Sequence, residues 1–589
     1  MKKHLLLVIA ALVSFSSHVL SQQMFVFIEP NNVRCSVTST GDLFNVPGTE
    51  IGLFEVPAGS GLETFYAANL WVGGFTTDQQ LRMSAETFQN NEQAWFSGPL
   101  TTNGTASTTQ EIEDAYNQVW HVTSDQVALH LAYFNALQNG NFEEEFPDGY
   151  TIPDVFINWP AHGNIALGYD FNLAPFIDFN LDMYYDPSQG DYPLFCGNEC
   201  IYFIINDRGS GNNGNVGLGV EIHGMMYGFT DSQDDMLENT IFLKYKMINR
   251  STGIYNNSVM GLWADYDLGG ATDDFVGTNV QRSALVSYNA DDFDEETSSS
   301  PGYQFNIPMQ GVVFLGGPKT NDDLADNELP DEQYSLETNS YGPFALGYGD
   351  GNFDNERLGL SYSMYYNNSS NPINGEPVAP LHYYNYLTGT WKNGSTLMFG
   401  MNGTNTSNYF APDVTDPLAL STGQDDQGLW NETTDGNVGG DRRIVGSTGL
   451  FTLEPGEINV LDLAFVYADS EQADDEPLAD FFDNRLKEAK LYFNEFLVEC
   501  SSEGIDVGLG DELIRGPRIN IYPNPIEDIV NIEVGKGSGV NIVSVTDISG
   551  KQVETFKVIE GLNTVDMSDL SSGIYFLVLN DIKIKLVKN

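Results

Sequence analysis

The fold class is decided by residues 240–248, which read TIFLKYKMI, together with residues 217–226, which read GLGVEIHGMM. Both are short, mostly apolar runs that lie between loops rich in glycine and asparagine, and this pattern predicts β-strands. Runs of the same kind recur at 201–205, 261–265 and 460–466. We therefore predict a mainly β protein with a large β-sandwich-like body.

Two segments of this body depart from the strand pattern and predict helices. The first begins with a capping box formed by Thr123 and Gln126, after which apolar residues recur at helical spacing over 127–134. The second runs from about 477 to 498, with Pro477 in its first turn and a single apolar stripe along its length. We expect both stripes to be core contacts.

The composition supports a large folded core and restricts the partners. Of 589 residues, 41% are hydrophobic and 12% are aromatic, which is enough to form a sizeable core. The 82 acidic residues outnumber the 25 lysines and arginines and give a net charge of -57. Nucleic-acid binding needs a basic surface, so this charge excludes it and instead favours the binding of cations.

The N-terminus has the pattern of a secretory signal peptide. Lys2 and Lys3 precede an apolar run at 5–15 that is too short to span a bilayer, and Val19 and Ser21 precede a plausible cleavage site. We therefore predict that residues 1–21 are removed on export. A body at 22–500 follows, either as one unit or as two subdomains.

Export into an oxidising compartment makes disulfides the favoured state of the four cysteines. Cys196 and Cys200 are separated by three residues, which predicts a local bridge between them. Cys35 and Cys500 would then join the two ends of the body. The competing interpretation, a zinc site, is weaker because no C-x-x-C pair or closely spaced histidine pair accompanies these cysteines.

The character of the chain changes after the body. Residues 501–518 are polar and glycine-rich, which is typical of a linker. Short alternating runs follow at 530–534, 541–545, 552–558, 574–579 and 582–587. Strands of this length and spacing predict a small β-sandwich over residues 519–589.

Specific motifs in this tail carry a family resemblance. Residues 522–525 read YPNP, residues 547–551 read DISGK, residues 569–575 read DLSSGIY, and lysines recur from Lys583 to Lys588. In this order the motifs resemble the type A C-terminal sorting domain of type IX secretion cargo. The resemblance implies recognition by the type IX secretion machinery, translocation across the outer membrane, and either release or attachment to surface lipopolysaccharide.

The body itself resembles large type IX cargo proteins of undefined function. The likeness rests on residues 66–74, which read YAANLWVGG, on residues 159–164, which read WPAHGN, and on residues 383–387, which read YYNYL. It implies a location outside the cell and brings no established activity.

The clearest chemical motif is the loop at 178–186, which reads DFNLDMYYD. Oxygen-bearing side chains at alternate positions of a tight loop can converge on one calcium ion, which takes six to eight hard oxygen ligands. The loop resembles the first part of an EF-hand or dockerin loop. It departs from that pattern where Met183 replaces the turn glycine and Gln189 replaces the bidentate glutamate, for which Asp191 is a possible substitute.

Two further acidic segments have similar spacing. Residues 350–356 read DGNFDNE, and residues 263–267 read WADYD with two aspartates a few positions on. The runs at 291–296 and 322–328 lack turn residues, so we interpret them as solvated loops. The predicted calcium ligands are Asp178, Asn180, Asp182, Tyr184 through its carbonyl, Asp186, Asp265, Asp267, Asp273, Asp274, Asp350, Asn352, Asp354 and Glu356.

No motif predicts a catalytic site. The sequence contains no P-loop, H-E-x-x-H or G-x-S-x-G, and the G-x-G-x-x-G at 209–214 precedes a predicted strand where a dinucleotide site needs a helix. We therefore predict a calcium-stabilised surface protein with a binding or display role. The alternatives are a secreted hydrolase of polysaccharide or peptide, and a glycan-binding adhesin that uses exposed aromatic residues at Tyr383, Tyr384, Tyr386 and Trp391.

Overall fold

The protein is described here by a computed structural model. It describes residues 25–45, 52–87, 93–210, 217–230, 234–296, 301–329, 340–399, 405–416, 418–420, 429–498, 519–522, 529–534, 541–547, 551–558, 561–568, 570–571, 573–579 and 582–588. The predicted signal peptide, the predicted linker and Cys500 lie outside this range.

Strands dominate the body, as predicted. In chain order they are β1 (Phe25–Ile28), β2 (Arg34–Thr38), β3 (Phe54–Glu55), β4 (Glu63–Thr76), β5 (Leu81–Ser84), β6 (Phe96–Ser97), β7 (Trp120–Thr123), β8 (Phe176–Ile177), β9 (Tyr192–Pro193), β10 (Glu199–Asn206), β11 (Val220–Gly228), β12 (Thr240–Asn249), β13 (Tyr255–Tyr266), β14 (Asp274–Asn279), β15 (Ala284–Asn289), β16 (Pro308–Gly316), β17 (Leu360–Asn367), β18 (Leu397–Phe399), β19 (Asn405–Ser407), β20 (Arg442–Thr448), β21 (Phe451–Leu453) and β22 (Ile458–Asp469).

Helices are fewer and shorter. They are α1 (Gln110–Tyr116), α2 (Ser124–Asn139), α3 (Phe142–Glu145), α4 (Asp154–Ile157), α5 (Asp235–Glu238), α6 (Pro380–Leu387), α7 (Ser470–Ala473) and α8 (Leu478–Tyr492), and a π-helical turn at Phe493–Leu497 extends α8. Among the described residues, none of these helices is long and apolar enough to span a membrane.

The strands of the body form two large antiparallel sheets. Sheet 1 has the order β1-β2-β3-β4-β13-β20-β17, with β5 paired to β4 and β21 paired to β13. Sheet 2 has the order β14-β15-β16-β22-β12-β11-β10-β6, with β7 paired to β10. The short pairs β8–β9 and β18–β19 lie outside them.

The two sheets pack face to face around one apolar core. The ring of Phe465 on sheet 2 lies 5.6 Å from the ring of Phe65 on sheet 1, and 5.0 Å from Phe44 in an edge-to-face arrangement. Aliphatic and aromatic side chains from both sheets belong to the same buried cluster. This arrangement confirms the predicted β-sandwich-like body, because only facing sheets bury two inner surfaces together.

Helices cover the outer faces of the sandwich. On sheet 2, α8 packs so closely that a Cβ atom at Gly311 would lie 2.9 Å from Leu486 and 3.0 Å from Phe482. On sheet 1, α6 places the ring of Tyr383 4.9 Å from that of Trp71. A larger side chain at position 311 would therefore force the Leu486 and Phe482 side chains to shift.

Both predicted helices are confirmed. Helix α2 has the capping box, in which the Thr123 hydroxyl accepts from the Gln126 backbone N–H while the Gln126 side chain accepts from the Thr123 N–H. Helix α8 begins directly after Pro477. Helix α6 was not among the predicted helices, because its sequence PLHYYNYL is rich in aromatic residues that are typical of strands.

The predicted disulfide pairing is wrong. Cys35 and Cys200 are free thiols, and both are completely buried. The Cys35 thiol donates to the Met226 sulfur at 3.6 Å in the core, while β10 directs Cys200 into the apolar layer on the other face of sheet 2. The three-residue spacing suggested a local loop, but a strand that begins at Glu199 fixes the direction of Cys200.

The tail forms a separate small β-sandwich, as predicted. One sheet has the order β23-β24-β27 and the other has the order β26-β25-β28-β29. Val530 and Ile532 of the first sheet pack with Val543, Val545 and Leu577 of the second. The strands are β23 (Ile519–Tyr522), β24 (Ile529–Val534), β25 (Asn541–Asp547), β26 (Gln552–Val558), β27 (Gly561–Asp566), β28 (Gly573–Leu579) and β29 (Ile582–Lys588).

Candidate metal centre

Three carboxylates from two strand ends meet on the outer face of sheet 1. Asp265 lies near the end of β13, Asp267 follows that strand, and Asp441 immediately precedes β20. One oxygen atom from each lies within 4.8 Å of the other two. This group is the carboxylate triad.

Strand pairing explains why the triad forms. In the antiparallel register between β13 and β20, Asp265 is opposite Arg443. Continuing that register by two residues brings Asp267 opposite Asp441. Like charges directly opposite each other destabilise a strand pair, so the arrangement calls for a positive counter-charge between the two strands.

Asp265 is the buried member of the triad. Its side chain is 1% exposed, and neither of its oxygens has a hydrogen-bond partner. The Oδ2 atom forms an ion pair with Arg443 Nη2 at 3.0 Å, so Oδ1 remains without a polar contact of its own. Because an unpaired buried oxygen is costly, this atom is suited to receive a ligand.

Protein cations do not balance the local negative charge. Arg443 forms ion pairs with Asp265 and Asp441 and approaches Glu376 at 3.6 Å. One guanidinium therefore serves three carboxylates, with Asp267 beside them, and Lys392 also acts electrostatically on Glu376. Burial raises the pKa of Asp265 well above its usual value, Arg443 opposes that rise, and Asp441 and Glu376 add to it. Burial also raises the pKa of Asp267, and Asp265 raises it further.

The donor set favours a hard divalent cation. All three ligand atoms are carboxylate oxygens, which suit calcium or magnesium, whereas zinc prefers nitrogen and sulfur ligands. Asp267 and Asp441 are partly exposed, which leaves solvent access to the triad. Three protein oxygens are fewer than the six to eight that calcium takes, so water or backbone carbonyls would complete the coordination.

Two other predicted ligands lie close to the triad without joining it. Asp274 is buried and accepts a hydrogen bond from the Leu268 N–H, while its Oδ1 atom has no hydrogen-bond partner. Asp273 accepts from the Asn289 amide. Burial raises the pKa of Asp273 to about 6. The electrostatic influence of Asp441 reaches Asp274, so both carboxylates add to the same negative region.

The loop at 178–186 uses its carboxylates differently. Asp178 accepts hydrogen bonds from the N–H groups of Asp182 and Met183, and Asp182 accepts from that of Tyr184. Asp186 accepts from the Ser188 N–H in the same way. Within the described residues these oxygens cap the backbone of their own loop, and they do not form a close carboxylate group. Their role as calcium ligands stays a prediction.

Asp191 also belongs to that capping network. One of its oxygens accepts from the Phe179 N–H and the other accepts from the Asp186 N–H. The Asn180 amide donates to Asp182 and to Gln189. The loop that departs from the EF-hand pattern at Met183 and Gln189 is therefore held in place by its own hydrogen bonds.

The acidic segment at 350–356 pairs with the run at 322–328. The Asp354 carboxylate accepts from the N–H groups of Asp323 and Leu324, and Glu356 accepts from that of Asn327. The run at 322–328 is largely exposed, as expected for a solvated loop, but these bonds fasten it to its neighbour. Calcium binding at Asp350, Asn352, Asp354 and Glu356 stays a prediction.

Sequence reasoning missed Asp441, Glu376 and Arg443. They are far from Asp265 along the chain, and strand pairing is what brings Asp441 and Arg443 to it. One signal was present, since two adjacent arginines follow Asp441 in a chain with only 25 basic residues.

Two histidines of the body, His162 and His223, have structural partners. His223 is buried between Tyr202, whose hydroxyl lies 2.6 Å from Nδ1, and Glu221, whose oxygen lies 2.8 Å from Nε2. His162 stacks on Phe171 and accepts the Tyr185 N–H at 2.9 Å.

The aromatic residues considered for glycan binding do not form an exposed platform. Tyr383, Tyr384 and Tyr386 lie on α6 and are 4%, 8% and 0% exposed. Trp391 is partly buried, with its ring 5.6 Å from that of Tyr365. These side chains belong to the packing between α6 and sheet 1.

Comparison with known proteins identifies the tail. Residues 520–589 match the family model of the secretion system C-terminal sorting domain. Among curated proteins, none matches the sequence. The structure of a polysaccharide lyase is 8% identical over 62% of this chain, with a TM-score of 0.16. The matched region covers 34% of the lyase, so this chain spans about a third of the length of that protein. The BSP domain of a biofilm-associated protein is 11% identical over 96% of this chain and 81% of its own, with a TM-score of 0.11. At these scores, neither similarity bears on the fold or the function of the body.

Proposed function

Because residues 520–589 are a type IX secretion C-terminal sorting domain that marks a secreted or cell-surface protein, we propose that the body is a calcium-stabilised binding or display protein without catalysis of its own. In this proposal, residues 1–21 direct export from the cytoplasm. The sorting domain engages the type IX machinery, and the body at 22–500 is either released or held at surface lipopolysaccharide.

The carboxylate triad is the observation that carries the calcium part of the proposal. A buried aspartate oxygen without a hydrogen bond faces two further carboxylates, and Arg443 alone does not balance them. A bound cation would remove the repulsion and satisfy the buried oxygen. Extracellular calcium sites typically have dissociation constants of about 10⁻⁴–10⁻³ M, so calcium above that concentration would occupy the triad and stabilise the body.

The hydrolase alternative has less support. It requires two facing carboxylates in an open cleft, or a nucleophile next to His162. Among the described contacts, His162 bonds to the backbone of Phe171 and Tyr185, and the triad is partly neutralised by Arg443. A binding or display role is therefore the function that the geometry supports best.

We expect calcium to raise the melting temperature of the wild-type protein and to have a reduced effect on Asp267→Asn. At about 10 mM calcium, a site of the affinity given above stabilises by roughly 1–3 kcal/mol through mass action, which corresponds to a rise of a few degrees. Asp267 is the best position to change because Asp265 and Asp441 also pair with Arg443. Scanning fluorimetry in calcium and in a chelator measures the difference.

The matched control is Asp292→Asn, which removes the same charge from an exposed loop. It should keep the full response to calcium. Equal melting temperatures in calcium and in chelator for the wild-type protein would remove the calcium part of the proposal. If Asp267→Asn responded to calcium as strongly as the wild-type protein, the calcium site would not be at the triad.

A further inference from the structure

A buried lysine lies where the C-terminal end of α8 meets sheet 2. Lys490 is 1% exposed, and its Nζ atom donates to the hydroxyl of Ser283 at 3.1 Å. Ser283 is also buried and belongs to the turn between β14 and β15, at the edge of the sheet. This contact therefore joins the end of the helix to the sheet through a titratable group.

The surroundings of the Lys490 amine suit its neutral form. A protonated amine carries three N–H donors, and the Ser283 hydroxyl is the one hydrogen-bond acceptor found for it among the described residues. That hydroxyl is neutral and itself donates to the Gly342 carbonyl at 3.2 Å. Protonation would thus bury a charge without a carboxylate partner, which is among the most destabilising arrangements in a protein core.

Arg282 is the charged group that acts on the Lys490 amine, and it is a second cation. It lies in the same turn as Ser283 and pairs with Asp483 of α8 at 2.8 Å, so that carboxylate is already engaged. Burial, with a smaller contribution from Arg282, lowers the pKa of Lys490 to about 7. The amine is therefore mostly neutral above pH 7 and mostly protonated below it.

The other elements packed at this position do not place a counter-ion on the amine. Strand β16, which lies under the helix, has no titratable side chain. On β22, Asp462 pairs with Arg357 at 2.8 Å. On the segment that carries Gly342, the Tyr341 hydroxyl donates to Asp416 at 3.3 Å. The nearby carboxylates on these elements thus have partners of their own.

The place of α8 in the chain suits local opening. Among the described residues, α8 and its π-helical extension are the last elements of the body, and the strands that follow belong to the C-terminal sandwich. The helix covers the outer face of sheet 2, so its release leaves the strand ladders intact. Local opening of such a terminal segment costs less free energy than global unfolding.

We propose that α8 is a pH-dependent cover on sheet 2, which is closed when Lys490 is neutral and is opened by its protonation. In the open state the long lysine stem carries the ammonium group into solvent. Apolar side chains beneath the helix, such as Val313 and Val466, then become exposed. The inference is independent of the calcium proposal, because it involves no residue of the triad.

Proton linkage fixes the direction and the size of the effect. Lys490 loses its proton near pH 7 when the helix is closed and near its usual value of 10.5 when the helix is open. Between these values the open form binds the extra proton, so the closed form gains as the pH rises. The ratio of open to closed molecules should therefore increase roughly tenfold between pH 8 and pH 6.

Hydrogen–deuterium exchange of the full chain at pH 6 and pH 8, corrected for intrinsic exchange rates, tests this inference. In the wild-type protein, peptides from residues 478–492 should exchange roughly tenfold faster at pH 6, while β12 and β22 keep their protection. Lys490→Met cannot gain the proton and should show equal corrected exchange at both pH values. The control is Lys487→Met, which removes the same charge from a partly exposed position one turn away and should respond like the wild-type protein.

Three results would overturn the inference. The first is equal corrected exchange of wild-type α8 at pH 6 and pH 8. The second is the same acceleration at pH 6 in Lys490→Met as in the wild-type protein. The third is a loss of protection in β12 and β22 as large as that in α8, because the event would then be unfolding of the whole body and not opening of one helix.

Discussion

Replacing Arg443 with methionine is expected to destabilise the body by about 3–5 kcal/mol in the absence of calcium. Arg443 is 3% exposed and is the cation that pairs with both Asp265 and Asp441. Removing one partner of a buried ion pair leaves the other charge uncompensated, which is among the largest effects that a single substitution has. Methionine keeps a similar volume, so the loss reports the charge more than the packing.

Urea unfolding of the body in chelator and in calcium measures this effect. With calcium present the loss should be smaller, because the ion supplies part of the missing positive charge at the triad. Arg485→Met is the control. Arg485 pairs with the more exposed Asp235 and Glu488, and its loss should cost at most about 1 kcal/mol. A loss of the same small size for Arg443→Met in chelator would show that the carboxylates do not depend on this arginine.

Replacing Lys490 with methionine is expected to stabilise the body, by about 1–4 kcal/mol at pH 6. Lys490 lies in α8 and is 1% exposed, with its Nζ atom 3.1 Å from the Ser283 hydroxyl. Burial, with a smaller contribution from the nearby Arg282, lowers its pKa to about 7. Methionine fills the same space without a charge, while Ser283 keeps its hydrogen bond to the Gly342 carbonyl.

The lowered pKa of Lys490 determines how the stability difference between Lys490→Met and the wild-type protein changes with pH. Between the folded pKa of about 7 and the unfolded value of 10.5, the unfolded chain holds the Lys490 proton and the folded chain does not. Wild-type stability therefore rises with pH across that window, and the full penalty of burying the charge is present below pH 7. The advantage of Lys490→Met should accordingly be largest at pH 6 and shrink toward pH 10. Lys487→Met, which removes the same charge from a partly exposed position on the same helix, is the control.

If the stability difference between Lys490→Met and the wild-type protein were the same at pH 6 as at pH 9, this account of Lys490 would be contradicted. It would also be contradicted if Lys490→Met were less stable than the wild-type protein at both pH values. Urea midpoints at several pH values, with both variants measured side by side, decide the question.

The strands of sheet 2 could be predicted because they are apolar runs between glycine-rich and asparagine-rich loops. Helix α2 could be predicted because its capping box is local in sequence. Helix α6 could not, since Tyr383, Tyr384 and Tyr386 have strand propensity, and only their packing against sheet 1 selects the helix. Local signals therefore sufficed wherever tertiary packing agreed with them.

The residues of the candidate site likewise include some that local sequence predicts and one that it does not. Asp265 and Asp267 follow from spacing within a single strand end, whereas Asp441 joins them through the pairing of β13 with β20. The loop at 178–186 had the stronger sequence pattern, yet its carboxylates cap backbone N–H groups of the same loop. Spacing alone does not distinguish oxygens that are free for a cation from oxygens already used by the chain.

The central claim is that the carboxylate triad holds a calcium ion, and counting bound calcium tests it most directly. After equilibrium dialysis in about 10 mM calcium, a concentration above the expected dissociation constant, atomic spectroscopy gives the number of ions per chain. The account predicts one calcium ion fewer in Asp267→Asn than in the wild-type protein, and no change in Asp292→Asn. An identical count in all three proteins, or no bound calcium in the wild-type protein, would contradict it.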